Sequence, residues 1–242
     1  MRQQDVGKDY RGMEYISFGE YLRTVAGLSE PILQTVLQPT REVGFKRGDL
    51  LIEEGKVCGR IYFINSGIVR CCSCHDGNNL TRSFSMEGDN VLSTLSVIHH
   101  LPSVFSIEAL EDVIVTEYTA KDFRKTLMGS RELMGFTLNV LFACLNILEV
   151  GCSLHADRDA MSRYVCLQCP KARDMVERIP LKHIASYLGM SQATLSRVRH
   201  RFAHTEEVWP PDCPFSSGSF SVIVNEGRSL LDCRYACLKR NF

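Results

Sequence analysis

The chain has 242 residues, 28 Lys and Arg against 28 Asp and Glu, with 45% hydrophobic and 23% charged side chains. That composition predicts an ordinary globular protein of one large domain or two small ones, and it excludes disorder as the main state because enough apolar matter is present to fill a core. Eleven cysteines are many, but an odd number in so long a chain argues against a secreted disulfide scaffold.

The first twenty residues mix Arg2, Asp5, Lys8, Asp9 and Arg11 with no apolar run, so no signal peptide is predicted. Neither uncharged stretch reads as a membrane span. Asn90–Ile107 holds His99, His100 and Pro102, and Leu133–Leu148 is shorter than the ~20 residues a bilayer needs. A cytoplasmic protein with reduced thiols and no membrane partner is the expectation.

Helix-spaced apolar residues over Phe18–Leu37 predict a helical segment packed on the β region next to it in the chain. There Gly48, Gly55, Gly67, Gly77 and Gly88 recur at intervals of 7, 12, 10 and 11 residues. Such punctuation suits short strands joined by tight turns. The predicted strands are Leu50–Glu53, Arg60–Asn65, Ile68–Ser73, Leu80–Phe84, Val104–Leu110 and Val113–Tyr118, which point to a β-sandwich or barrel. After Lys121 the period changes. Met134, Leu138, Leu141, Leu145, Leu148 and Cys152 are spaced 4, 3, 4, 3 and 4, an a/d heptad seam. Val140, Cys144, Ile147 and Leu154 form a second stripe. A helix apolar on two faces must bury both, and a second copy of the chain is the predicted cover for one of them. A monomeric core helix would need more chain nearby than there is.

Between Arg178 and Thr205 the chain carries Arg178, Lys182, Arg197, Arg199 and Arg201, three histidines, and no Asp or Glu. A basic block in a neutral protein suits a segment that meets a polyanion. Within it, Leu181–His200 meets the requirements of a helix-turn-helix. Ala185 is small where two helices touch, and Gly189 tolerates φ > 0 at the sharp turn. Ser191 can cap the second helix, and Ile184, Leu188, Leu195 and Val198 face inward. The outward face is Gln192, Ala193, Ser196, Arg197 and His200. Gln pairs with adenine and Arg with guanine in a major groove, while Thr194 and Ser196 hydroxyls reach phosphates or base edges. Lys182, Arg199 and Arg201 are placed for phosphates. An αα-hairpin without a nucleic-acid role would share the crossing, but the basic, acid-free surface favours DNA.

A glycine-punctuated β-roll, a long dimer helix and a C-terminal helix-turn-helix, in this order, resemble the Crp/Fnr family of bacterial transcription regulators from about Phe18 to His204. Phrases such as Phe84-Ser85-Met86-Glu87-Gly88-Asp89, Pro102-Ser103, Ile107-Glu108-Ala109-Leu110-Glu111-Asp112 and Ile184-Ala185-Ser186-Tyr187-Leu188-Gly189 carry the resemblance. It implies an α+β chain: an N-terminal antiparallel, jelly-roll-like β-roll of the cyclic-nucleotide-binding type, a long dimerisation helix and a C-terminal DNA-binding domain. The implied partners are palindromic operator DNA, a second copy of the chain, RNA polymerase and an unknown small-molecule effector. The implied divisions are an N-terminal extension (1–17), the sensor (18–130), the dimer helix (131–156), the helix-turn-helix domain (157–204) and an atypical extension (205–242). The recognition helix carries over to Ser191–Phe202, with Gln192, Ala193 and Arg197 at the base-contacting places. Ala193 departs from the acidic residue often found there in cyclic-AMP-responsive members.

The ligand cassette departs further. Cyclic-nucleotide binders of this family hold the ribose with a Gly-Glu pair and the phosphate with an Arg-Ser/Thr pair. Here the pocket positions read Gly88, Asp89, Ser93, Ser103 and Val104, and no Arg or Lys stands between Gly88 and Val115. A buried phosphate without a cation is costly, so dependence on a cyclic nucleotide is not expected. A roll that does bind such a nucleotide, or another small ligand, is one alternative. A Cys-based redox or metal sensor is another: Cys71 and Cys74, and Cys166 and Cys169, have C-x-x-C spacing. Against it, strand alternation puts Cys71 and Cys74 on opposite faces, and the first cysteine, Cys58, comes too late for the family's N-terminal iron–sulfur cluster. No metal, cofactor or catalytic residue is predicted, and no enzyme motif is present. Trp209–Ser219 reads as linker, followed by a short strand at Phe220–Val224 and a short helix at Ser229–Leu238, with no assigned role.

Overall fold

The computed structural model describes residues 15–75, 77–156, 159–165, 167 and 176–204. Cys166, Cys169 and the extension from residue 205 onward, including its linker, strand and helix expectations, lie outside the described residues. The chain divides into two compact units between Arg131 and Glu132.

The first unit opens with two short helices, α1 (Phe18–Thr24) and α2 (Glu30–Leu37). Eight strands come next: β1 (Arg41–Phe45), β2 (Leu50–Ile52), β3 (Arg60–Ser66), β4 (Val69–His75), β5 (Asn78–Ser85), β6 (Asn90–Val91), β7 (Ser106–Ala109) and β8 (Val113–Thr119). They form two four-stranded sheets, ordered β1-β8-β3-β6 and β2-β7-β4-β5, with every pairing antiparallel. Alternate residues of both sheets meet inside. Leu51, Ile52, Tyr62, Ile64, Val69, Val91, Ile107, Ala109, Val113 and Val115 make one buried cluster, as period-2 patterning on facing sheets requires. β3 is buried on both faces from Ile61 to Ser66. Its other face carries Phe63, on which Phe18 and Tyr21 of α1 pack with ring centroids 4.9 Å apart. The α+β class and antiparallel roll expected from the sequence are what the chain adopts.

Four elements of this unit were not expected: β1, β6, α3 (Thr94–His99) and α4 (Ala120–Gly129). β1 is an edge strand with Arg41, Glu42 and Gly44 among its five residues, too polar and short to show alternation. The predicted strand at Val104–Leu110 shortens to β7. The helical segment Phe18–Leu37 forms as two helices. Gly27, at φ +62°, ends the first reach, and Pro31 sits in the first turn of the second, a place where its missing N–H costs nothing. His99 ends α3 and His100 caps it at φ +56°. The unit closes with α4 (Ala120–Gly129), whose Asp122 N–H donates to the Thr119 hydroxyl at 3.1 Å.

The second unit contains α5 (Arg131–Ala156), α6 (Ala160–Val165), α7 (Leu181–Tyr187) and α8 (Gln192–Ala203). Along α5, Met134, Leu138, Leu141 and Leu145 are 39%, 48%, 49% and 59% exposed. The side chains of Leu148 and Cys152 are outside the described set. α6 packs on α8 through Tyr164 and Phe202, whose rings meet edge-on at 5.6 Å. Among the described residues no helix is long and apolar enough to cross a membrane.

Candidate nucleic-acid interface

α7 and α8 are joined by four residues, Leu188 to Ser191. The Met190 N–H donates to the Ala185 carbonyl at 3.0 Å, and the Gly189 N–H donates to the Ser186 carbonyl at 3.1 Å. These two bonds, closed around Gly189 at φ +62°, are a Schellman motif. They satisfy carbonyls that the end of α7 would otherwise leave open. Two residues later Ser191 caps α8, its hydroxyl accepting from the Thr194 N–H at 3.1 Å.

Ile184, Ala185, Leu188, Leu195 and Val198 are buried, at 1%, 2%, 3%, 1% and 9% exposure, and this aliphatic seam holds the two helices together. The opposite side of α8 is open. Gln192, Ala193, Ser196, Arg197, Arg199, His200 and Arg201 are exposed, Thr194 is half-buried, and Lys182 and Ser191 are exposed beside them. The structure therefore brings Gln192, Ala193, Ser196 and Arg197 onto one outward side of a single helix. A rod of about 10–12 Å with a polar, cationic side has the width of a B-DNA major groove.

Four of the five residues predicted for a ligand site in the roll have other work. Gly88 takes φ +87° in the turn before β6, and its N–H donates to the Ile64 carbonyl at 3.0 Å. Asp89 accepts from the Met86 N–H at 2.9 Å. Ser93, 1% exposed, caps α3 by accepting from the Ser96 N–H at 3.4 Å. The Ser103 hydroxyl, on a residue 2% exposed, donates to the Phe105 carbonyl at 2.7 Å. Val104 is exposed.

The absence of Arg and Lys between Gly88 and Val115 hides the cations that strand pairing imports. Arg70 of β4 reaches Glu108 of β7, its Nε donating to Oε2 at 2.8 Å and its Nη2 at 2.5 Å, and Nη1 reaches the Thr81 hydroxyl. Arg41 of β1 and Arg60 of β3 converge on Oε1 of the buried Glu117 of β8. Each of these guanidinium groups is committed to a carboxylate. Glu87 also escaped the sequence reading. Its carboxylate lies buried and accepts the Gly67 N–H at 2.7 Å, so the Phe84–Asp89 phrase fastens two turns.

Of the cysteines, Cys71 packs against the core cluster and Cys74 is exposed. Burial pushes the Cys71 thiol up to about 11 and raises that of Cys72. No group of three or more metal-ligating side chains occurs among the described residues.

Residues 42–130 match the family model of the cyclic nucleotide-binding domain. Among solved structures, a CooA mutant from Carboxydothermus hydrogenoformans is 18% identical over 69% of this chain and 78% of its own, with a TM-score of 0.58. FixK2 from Bradyrhizobium japonicum is 19% identical over 68% of this chain and 84% of its own, at 0.53. The c-di-GMP-responsive global regulator CLP from Xanthomonas campestris is 14% identical over 72% and 92%, at 0.52. The chain has the fold of the Crp/Fnr regulators. No curated protein matches its sequence. At such low identity the likeness speaks for architecture, and the chemistry has to be read from the residues in place.

Proposed function

We propose that the protein is a homodimeric, sequence-specific DNA-binding transcription regulator of the cytoplasm, not an enzyme, in which the β-roll answers a signal other than a cyclic nucleotide. The observation that carries this reading is the outward side of α8: Gln192, Ala193, Ser196 and Arg197 exposed together on a helix anchored by Leu195 and Val198, in a segment with no acidic residue. Gln192 and Arg197 read base edges, while Lys182, Arg199 and Arg201 set register through phosphates. Met134, Leu138, Leu141 and Leu145 of α5, with Leu148 and Cys152, form the seam to the second copy. Leucines about half exposed at a/d spacing are what an unpaired coiled-coil helix presents. The domain divisions at 17, 130, 156 and 204 belong to this reading, with RNA polymerase as the further protein partner and no cofactor.

Selection from a random duplex library tests it. The expected product is a palindrome bound by a dimer, and a protein that enriches no sequence at modest salt would end the proposal.

A second reading, cyclic-nucleotide control, is favoured by the family match over 42–130. The hydroxyls of Ser93 and Ser103 already serve the backbone, and the guanidinium groups of Arg41, Arg60 and Arg70 are already paired, which weighs against it. Calorimetry with cyclic AMP, cyclic GMP and cyclic di-GMP separates the two readings. Micromolar binding to any of them would replace the favoured account of the roll.

A further inference from the structure

The first turns of α8 contain a chain of hydroxyls that ends on the arginine assigned to base reading. Ser191 Oγ lies 3.0 Å from Thr194 Oγ1, and Arg197 Nη2 donates to Thr194 Oγ1 at 3.4 Å. Proton counting orders this chain. A guanidinium only donates, so Thr194 Oγ1 must accept from Arg197. Ser191 Oγ already accepts from the Thr194 N–H. The Ser191–Thr194 contact uses one of the two hydroxyl hydrogens, whichever group gives it, and leaves the other to point outward.

The helix geometry explains why Thr194 has this task. A side chain at position 197 meets neighbours three and four residues away. Four residues before it stands Ala193, which has no acceptor. Four after it stands Arg201, which has none either and carries the same charge, and three after it the His200 ring packs on His204 with centroids 4.5 Å apart. Thr194, three residues before, offers an oxygen, and its β-branch leaves χ1 few choices in a helix. The hydroxyl is therefore a fixed post, and a long side chain that would otherwise sample many rotamers is tied to it by a hydrogen bond to a charged donor.

We propose that Thr194 is a positioning residue: it acts through Arg197, aiming the guanidinium at its base, and does not itself read the duplex. This inference rests on the DNA-reading function proposed for α8 and deepens it.

The test uses the full-length protein, the best duplex from the random library, and the three single-base variants at each half-site position. Arg197→Ala first marks the position at which discrimination is lost. Thr194→Val keeps the β-branch and volume but removes the acceptor, and Thr194→Ser keeps the acceptor. The expected result is that Thr194→Val lowers discrimination about three- to tenfold at the position marked by Arg197→Ala and nowhere else. Thr194→Ser should retain it, and Thr194→Val added to Arg197→Ala should change nothing further. Unchanged melting of Thr194→Val confirms that the fold is intact, and Thr194→Ser serves as the fallback comparison.

A Thr194→Val protein that weakens equally on every duplex, with a shallower salt dependence, would make Thr194 a phosphate contact and overturn the inference while leaving the DNA reading intact. Failure of the wild-type protein to select any duplex overturns both.

Discussion

Gly67 sits where two turns meet. Its backbone is at φ +102°, and a Cβ there would lie 2.7 Å from the Asp112 carbonyl oxygen and 3.0 Å from the Val113 Cα, while its N–H is held by buried Glu87. Neither obstacle is a flexible side-chain tip, so Gly67→Ala is expected to destabilise the roll by at least about 2 kcal/mol, read as a lower urea midpoint at constant m-value. The cysteine and tyrosine environments set an alkaline limit. Burial raises Cys71 from 9.0 to about 11 and lifts Cys72, Tyr62 and Tyr118 in the same direction. Above pH 9 the unfolded chain gives up protons that the folded one keeps, so stability falls as pH climbs. Denaturant midpoints are expected to hold from pH 7 to the usual thiol value of 9.0 and to decline towards 11, less steeply in Cys71→Ala. A flat profile would mean these groups are not shielded. On α8, Arg197→Ala is expected to cost about 1–3 kcal/mol on the selected duplex and relax one position per half-site. Lys182→Ala should instead weaken all duplexes alike and reduce the salt slope by about one, since it removes one phosphate contact. Filter binding at several salt concentrations distinguishes the two.

At the scale of elements, the long patterns were readable and the short ones were not. Leu195 and Val198 with Gly189 and Ser191 announce a turn and a capped helix because each position has one steric or hydrogen-bonding reason to be that residue. Six predicted strands are present with ends shifted by a residue or two. By contrast β6 has two residues and α3 has six, lengths over which no period can register, and both form because the surrounding sheets and the Ser93 cap hold them. The carboxylate partners of Arg41, Arg60 and Arg70 were hidden for another reason: they lie 76, 57 and 38 residues away, and strand pairing is what joins them. The heptad on α5 gives a quantitative expectation. If Leu145 is buried between two copies, Leu145→Ala removes about 2 kcal/mol twice, which raises the dimer dissociation constant by about a thousandfold. Sedimentation equilibrium reads this directly, and an unchanged dimer would place the seam on another face.

For the whole molecule, a two-fold dimer carrying one α8 per protomer requires half-sites related by the same two-fold. Their centres are expected about 10–10.5 base pairs apart or at a multiple of that spacing. Inserting five base pairs between them turns one half-site to the far side of the duplex, and binding is expected to fall at least about a hundredfold, to that of a single half-site. Equal affinity for both spacings would show that the two reading helices are not coupled. The order of parts, roll first and helical pair last, was legible along the chain because each part has its own periodicity.

The Schellman turn has a consequence for any switch. With Met190 and Gly189 locked back onto Ala185 and Ser186, and an aliphatic weld beneath, α8 has no hinge of its own: bending it away from α7 would cost the turn and the seam together. If α8 reads DNA as proposed, an incoming message cannot swivel it alone. It has to carry rod, turn and anchor as one block, like a key turned by its bow.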